Sequence, residues 1–297
     1  MSVTLSDLLM MKSILLILAL SGLVYEPIES RAAVSQDFTK VRDPVSSRGF
    51  KHTTLDRPIV EGAISRANQL LPAYVSRLVP SWLLWSVTSG IPVYLVEAPS
   101  TAAAIPAAVP RGCLCVFVNP KMFSAWLKEQ STGSGRFELN SINVLTFMLL
   151  HEVGHIVNKN PAAEFSNGAL AQLNIEPSLA KANEEKADEF AANLIREAAR
   201  KTPASENSIE ANWIAIELQH LSWNMQAYRA LDQFGATEIA LPAVFLDQTY
   251  SHPNLAWRIL RSNDIVHQSP ESRELLKAFE AAQGRASKQK PLYRKDK

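Results

Sequence analysis

The sequence has few cysteines, almost no net charge and no apolar run long enough to span a bilayer. Its 297 residues include two cysteines, 30 lysines and arginines, and 29 aspartates and glutamates, which gives a net charge of +1. This balance argues against a nucleic-acid binder that works through bulk positive charge. Cys113 and Cys115 are one residue apart, and a bridge that short would be strained, so we expect small core residues and no disulfide framework. The 11 glycines and 17 prolines show no repeat, which excludes collagen-like and solenoid folds.

The N-terminus carries a short apolar segment from Ile14 to Val24. It has about 11 residues, whereas a membrane span needs about 20. Its length is typical of the apolar part of a signal peptide, with Lys12 before it and a small-x-small cleavage site at 30–32. We therefore predict that residues 1–32 are a signal peptide or an N-terminal anchor, with membrane attachment through residues 13–24. The protein would then be exported (periplasmic, secreted or membrane-anchored). The alternative is an N-terminal helix packed on a cytoplasmic domain.

The rest of the chain reads as one domain, because composition does not change between residues 57 and 283. Residues 33–56 read as a linker, and residues 284–297 as a basic, disordered tail. Asp56 is the expected N-cap of a helix that begins near Arg57. The expected strands are 91–96 and 113–118, with an alanine- and proline-rich loop at 101–110, and the other expected helices are 80–89, 121–129, 141–158, 179–200, 206–234 and 271–283. The predicted fold class is α+β, mainly α, with a small β-sheet.

The pattern His151-Glu152-Val153-Gly154-His155 lies in an apolar helical segment. Two histidines four residues apart project from one face of a helix, which is the geometry that two zinc ligands need. Glu152 lies about 100° from His151 around the helix, beside such a metal, where it could exchange protons with a bound water. Two buried histidines and a glutamate without a metal would need many compensating partners. The pattern therefore predicts a catalytic zinc site, with one Zn²⁺ per chain.

A catalytic zinc site needs a third protein ligand, and the next predicted helix offers four acids. Glu184 falls inside the apolar face of that helix, and Asp188 falls at its edge. Glu185 and Glu189 fall toward solvent. Because an acid on a core face is costly unless it is paired or bound to a metal, we predict Glu184 as the third ligand. Asp188, one turn later, is the predicted acceptor for the other ring nitrogen of a ligand histidine.

A weaker signal follows at Tyr250-Ser251-His252-Pro253. His252 or Tyr250 at this turn could donate a hydrogen bond to the oxyanion of a tetrahedral intermediate. Arg258 could hold a carboxylate of the site. A histidine before a proline in a loop is more often only a turn.

These motifs occur in the same order as in the zinc metallopeptidases that include the heat-shock membrane protease and the CAAX prenyl protease, which are gluzincins. The resemblance covers about residues 91–262, and it implies a compact gluzincin-like domain and a zinc-dependent endopeptidase. By position, the ligands would be His151, His155 and Glu184, with Glu152 as the catalytic acid and base. Asp188 matches the family's acid one turn after the ligand glutamate. His252 would be the transition-state donor, accompanied by Arg258.

The resemblance also implies that a peptide substrate binds as an added strand at the edge of a small sheet. The strand before the motif helix is the candidate edge, at Cys115, Val116 and Phe117, although an ordinary core strand is equally compatible with its apolar side chains. Unlike the membrane-bound members, this chain has no later segment of bilayer length, and its short connection between motifs also resembles the Lit-type phage-exclusion peptidases. Two further hypotheses are a zinc-binding sensor or interaction protein without turnover, and a helical protein with a chance motif.

Overall fold

Helices dominate the part of the chain that the structure describes. The computed structural model describes residues 45–83, 89–97, 105–132, 137–160, 163–166, 169–172, 175–201, 205–234, 242–247 and 253–289, all within one compact unit. The α-helices are α1 (Arg57–Leu70), α2 (Pro120–Thr132), α3 (Ser141–Val157), α4 (Pro177–Ala199), α5 (Glu206–Asn224), α6 (Gln226–Phe234), α7 (Leu255–His267) and α8 (Pro270–Gln289). Short 3-10 turns lie at Ser46–Arg48, Ser81–Leu83 and Pro242–Phe245. The predicted class, α+β and mainly α, is confirmed.

A small mixed sheet lies in the first half of the described chain. Its strands are β1 (Lys51–His52), β2 (Leu78–Pro80), β3 (Ile91–Glu97), β4 (Ala107–Ala108) and β5 (Val116–Val118). β3 pairs with β1 antiparallel and with β2 and β5 parallel, and β4 pairs antiparallel with β5. A separate hairpin joins β6 (Ala163–Ser166) to β7 (Ala169–Gln172). Because β3 and β4 flank β5, the prediction that Cys115, Val116 and Phe117 form a sheet edge is wrong, and β4 is the outer strand next to β5.

α3 forms the centre of the helical layer and packs against α1, α4 and α5. Asn140 caps its first turn, since its side chain accepts a hydrogen bond from the Asn143 amide. Leu145, Leu149 and Leu150 are fully buried. A helix with apolar residues around most of its circumference is stable only inside a core, which explains the long apolar segment before the motif.

α3 and α4 cross at very short range. A Cβ atom built on Gly154 would lie 2.9 Å from the Cα atom of Ala187 on α4, closer than real contacts allow. Glycine and alanine therefore let the two backbones approach at this crossing, one turn or less from the two motif histidines. The small residues set the separation between the histidines of α3 and the acids of α4.

Several predicted boundaries change in the structure. Residues 45–56, assigned to a linker, contain a 3-10 turn and β1, with Val45 and Phe50 buried, so the folded unit includes them. Asp56 has φ of 53° and makes no side-chain cap, and its carboxylate instead accepts a hydrogen bond from Ser124. The predicted basic tail from 284 is helical as far as Gln289.

The predicted helix 206–234 is interrupted at Met225, which is extended with ψ of 141°. The preceding residue, Asn224, exchanges two hydrogen bonds with the backbone of Phe137, at 2.7 and 3.1 Å. This tertiary contact accompanies a break that contains neither glycine nor proline. In the predicted helix 80–89, Pro80 ends β2 and a 3-10 turn follows at Ser81–Leu83, while residues 84–88 lie outside the described residues.

Cys113 and Cys115 are joined by a disulfide, so the expectation of two unpaired core cysteines is wrong. The predicted strand 113–118 is shortened to β5, because the bonded residues lie in the turn between β4 and β5.

The predicted signal or anchor, residues 1–32, lies outside the described residues, and export therefore stays a prediction. Within the described part of the chain, no helix combines the length and the apolar content that a membrane span requires.

Candidate metal centre

His151 and His155 are buried on the same face of α3. Their Nε2 atoms are 3.0 Å apart, and the two rings meet edge to face. Each ring keeps its other nitrogen for a separate hydrogen bond, described below. The structure thus places the two predicted ligand atoms side by side, as the four-residue spacing implies.

Glu184 reaches the same point from α4. One carboxylate oxygen lies 3.4 Å from His151 Nε2, and the other lies 3.5 Å from His155 Nε2. Ligands at 2.0–2.1 Å from a tetrahedral zinc are about 3.3 Å from one another. The three side chains each bring one ligand atom to within 4.8 Å of the other two, so small adjustments of the side chains would enclose such an ion. Among the described residues, His151, His155 and Glu184 form the group of side chains that could hold a metal ion.

Two further contacts fix the orientation of the histidine rings. Asp188 Oδ1 lies 2.8 Å from His151 Nδ1, the contact predicted from the helical spacing. The Asn160 carbonyl oxygen lies 2.8 Å from His155 Nδ1. Because both acceptors bind Nδ1–H, both rings present Nε2 to the metal position. The role of Asn160 has no signal in the sequence, since any residue type can supply a main-chain acceptor.

Arg258 joins the two acids of α4. Its Nε and Nη2 atoms lie 2.7 and 2.9 Å from the two carboxylate oxygens of Asp188. Its Nη1 atom lies 2.9 Å from Glu184, and Nη2 lies 3.3 Å from His151 Nε2. Asn254 caps α7 just before Arg258, with hydrogen bonds from the amides of residues 256 and 257. The structure thus brings Arg258 to the predicted acids from a helix about 70 residues away.

Glu152 is buried beside the two histidines, and its Oε2 atom has no hydrogen-bond partner among the described residues. The backbone N–H of Val109 donates a hydrogen bond to its carboxylate. Burial is the main reason that the pKa of Glu152 is raised to about 7, with the nearby charge of Glu184 adding to it. A carboxylate with a pKa near neutrality is suited to both accepting and donating a proton.

The buried charges of the site also shift the histidines, in opposite directions. Burial lowers the pKa of His151, but the charge and hydrogen bond of Asp188 and the hydrogen bond of Glu184 raise it overall to about 10. Burial and the charge of His151 lower the pKa of His155 to about 4. Burial raises the carboxyl pKa of Glu184, but the charge of Arg258, the hydrogen bond with His151 and the charges of both histidines together lower it below its usual range. Without a metal, the acids therefore favour the protonated form of His151, whereas His155 stays neutral.

A cavity of about 210 Å³ opens beside these residues. Its polar end is formed by the site, and β4 lies along one wall. In the β4–β5 ladder, Ala108 pairs with Phe117. The next residue, Val109, makes its main-chain hydrogen bonds on the side away from β5: its N–H donates to Glu152, and its C=O accepts from the N–H of Ala163. Because alternate residues of a strand point their N–H and C=O groups to opposite sides, those of Ala107 point away from β5. Among the described strands, β4 is therefore the outer strand next to β5, in a segment whose composition predicts a loop.

Two predicted site residues, His252 and Tyr250, lie outside the described residues, so the role of His252 stays a prediction.

Comparison with known families agrees with this arrangement. The model of the family described as Peptidase U49 matches residues 118–273, a span that includes α3, α4 and Arg258. Comparisons with curated proteins and with solved structures gave no match. The family match supports a proteolytic enzyme, a hydrolase of the Lit-type or zinc-protease-like kind that acts on protein or peptide. Because the match covers more than half of the 297 residues, the chain belongs to the Peptidase U49 family.

Proposed function

We propose that this peptidase is a zinc-dependent endopeptidase of the gluzincin type. The observation that carries the proposal is that the ligand atoms of His151, His155 and Glu184 converge at the end of a cavity. The two Nε2 atoms are 3.0 Å apart, and the two carboxylate oxygens lie 3.4 Å from the first and 3.5 Å from the second. Two neutral imidazole nitrogens and one carboxylate are a donor set that catalytic zinc sites use. A zinc ion held there would lower the pKa of a water molecule and polarise the scissile carbonyl.

Glu152 acts as the proton carrier in this proposal. As a carboxylate it accepts a proton from the attacking water, and as the acid it returns that proton to the leaving amine. In the metal-free site, burial raises its pKa to about 7, so the surroundings of this carboxylate favour uptake of a proton. The hydrogen bond from Val109 ties this carboxylate to the same strand edge that would hold the substrate.

The other residues hold the substrate and the ligands in position. A peptide paired with β4 would accept a hydrogen bond from the N–H of Ala107 and donate one to its C=O. Asp188 holds His151, and Arg258 holds both acids, so these two side chains position the ligands. His252 remains the proposed donor to the oxyanion.

The proposal is tested by metal analysis of the purified full chain and matched variants. We expect one zinc per chain in the wild type and a loss of zinc in Glu184→Ala. Glu185→Ala, which removes a half-buried acid one residue away, is the control and should retain the metal. Glu152→Gln should keep zinc and lose hydrolysis of a peptide library. Zinc-free wild type, or zinc retained in Glu184→Ala and lost in Glu185→Ala, would contradict the assigned ligands.

The competing proposal is a zinc-binding sensor or interaction protein on the same fold. If the protein is such a sensor, it should bind zinc but hydrolyse no peptide. The buried Glu152 carboxylate, with one oxygen that no described residue satisfies, favours the enzyme, because a sensor has no use for a costly unpaired acid at the metal.

A further inference from the structure

Most of the cavity wall beyond the metal site is apolar. This part of the wall is built from four helices and from the segment that leads into β4. Its larger side chains include Trp126, Phe147, Met148, Leu221, Leu255 and Ile259.

The charged groups of the cavity are confined to one end. They are the residues of the candidate metal centre, and they contact one another. Among the residues that the structure describes, the other side chains that line the cavity carry no charge. A charged side chain that entered the apolar part would lose its hydration and gain no charged or polar partner, which costs free energy. Burial of an apolar side chain there is favourable, because it removes apolar surface from water.

The size of the cavity suits one large side chain. A cavity of about 150 Å³ in another protein holds a benzene molecule, and this one measures about 210 Å³. A phenyl ring or a branched aliphatic group therefore fits, with room for its link to a main chain on β4.

We propose that this cavity receives an apolar side chain, aromatic or branched aliphatic, of the substrate residue that borders the scissile bond. The inference rests on the proposed peptidase function and names its substrate class. Met148 lines the cavity close to the candidate metal centre, because it lies three residues before His151, on the same side of α3. Its side chain is half-buried and flexible, so a substitution can change the cavity with little loss of stability.

The kinetic test compares peptides that differ only at the residue bordering the cleaved bond. We expect kcat/KM for leucine or phenylalanine to exceed that for aspartate or glycine by at least about tenfold, since one well-placed apolar group gives about 10- to 200-fold discrimination. Met148→Trp, which narrows the cavity, should shift the preference about tenfold toward alanine. Met122→Trp is the matched control, because Met122 is also half-buried but does not line the cavity. Equal cleavage of acidic and apolar peptides, or the same shift in both variants, would overturn the inference and leave the peptidase function standing.

A second measurement does not depend on turnover. Protein labelled with ¹³C in its methionine methyl groups is titrated with N-acetyl amides of phenylalanine, leucine, aspartate and glycine. We expect the apolar amides to shift the Met148 signal saturably, whereas the Met122 signal does not move. An unmoved Met148 signal, or one that the aspartate amide shifts equally, would overturn the inference. Bound zinc without hydrolysis, together with a shifted Met148 signal, would contradict only the proposed function.

Discussion

Replacing Asp188 with asparagine would test whether the acid of α4 orients a metal ligand. Asp188 is 3 % exposed and accepts three hydrogen bonds, two from Arg258 and one from His151 Nδ1. Asparagine has nearly the same shape, but it has one acceptor oxygen and no charge. Its NH₂ group would face a donor of Arg258 or of His151, so at least one hydrogen bond is lost.

The size of the effect follows from these contacts. Loss of a group that orients a ligand histidine lowers metal affinity about 10- to 100-fold, which is about 1.4 to 2.7 kcal/mol. Removing one partner of a buried ion pair costs about 3 to 5 kcal/mol of stability. Because Arg258 keeps its contact with Glu184 at 2.9 Å, we expect the stability loss in Asp188→Asn to lie at the lower end of that range.

The assay is a zinc competition titration with a chromophoric chelator at pH 8, combined with thermal unfolding of the metal-free protein. Glu189→Gln is the control, since that side chain is 53 % exposed and its ion pair with Arg261 is a surface contact at 3.4 Å. The control should leave both zinc affinity and stability nearly unchanged. A folded Asp188→Asn variant that binds zinc within about twofold of the wild type would refute the orienting role.

Three further outcomes are expected. Gly154→Ala should destabilise the protein by about 1 to 3 kcal/mol in thermal unfolding, because the added methyl group meets a facing backbone, whereas Gly284→Ala, in a helix with open space, should be neutral or stabilising; equal effects would contradict the close crossing. With a pKa raised to about 10, His151 is protonated at pH 8 without metal, so zinc binding should release about one proton there and weaken as the pH falls; calorimetry in two buffers of different ionisation enthalpy measures this, and no release would contradict it. Cys113 and Cys115 should resist alkylation in unfolded protein until a thiol reductant is added, and mass spectrometry showing two labels without reductant would argue against the bond.

The predictable part of the site lies where helical periodicity determines side-chain direction. The positions of His151 and His155 on one face, and the burial of Glu184 beside the exposed Glu189, follow from 3.6 residues per turn. The contact between Asp188 and His151 follows from the same argument. In each case the residues belong to long helices whose apolar face is clear from the sequence.

The unpredicted part depends on contacts between distant segments. β4 has two residues, and its alanine- and proline-rich surroundings lack the alternation that indicates a strand, so the sequence predicts a loop at the true sheet edge. The end of α5 depends on a contact between Asn224 and the Phe137 backbone, 87 residues away. Neither feature has a local sequence signal, because in both the partner residue decides the conformation.

Arg258 connects the metal ligands to the apolar cavity. Its guanidinium contacts Glu184 and Asp188, while Leu255 and Ile259, on the same helix, line the cavity. A shift of α7 would therefore move a ligand carboxylate and a wall of the cavity together. We therefore expect a substitution in α7 that alters metal affinity to alter the side-chain selectivity of the cavity as well.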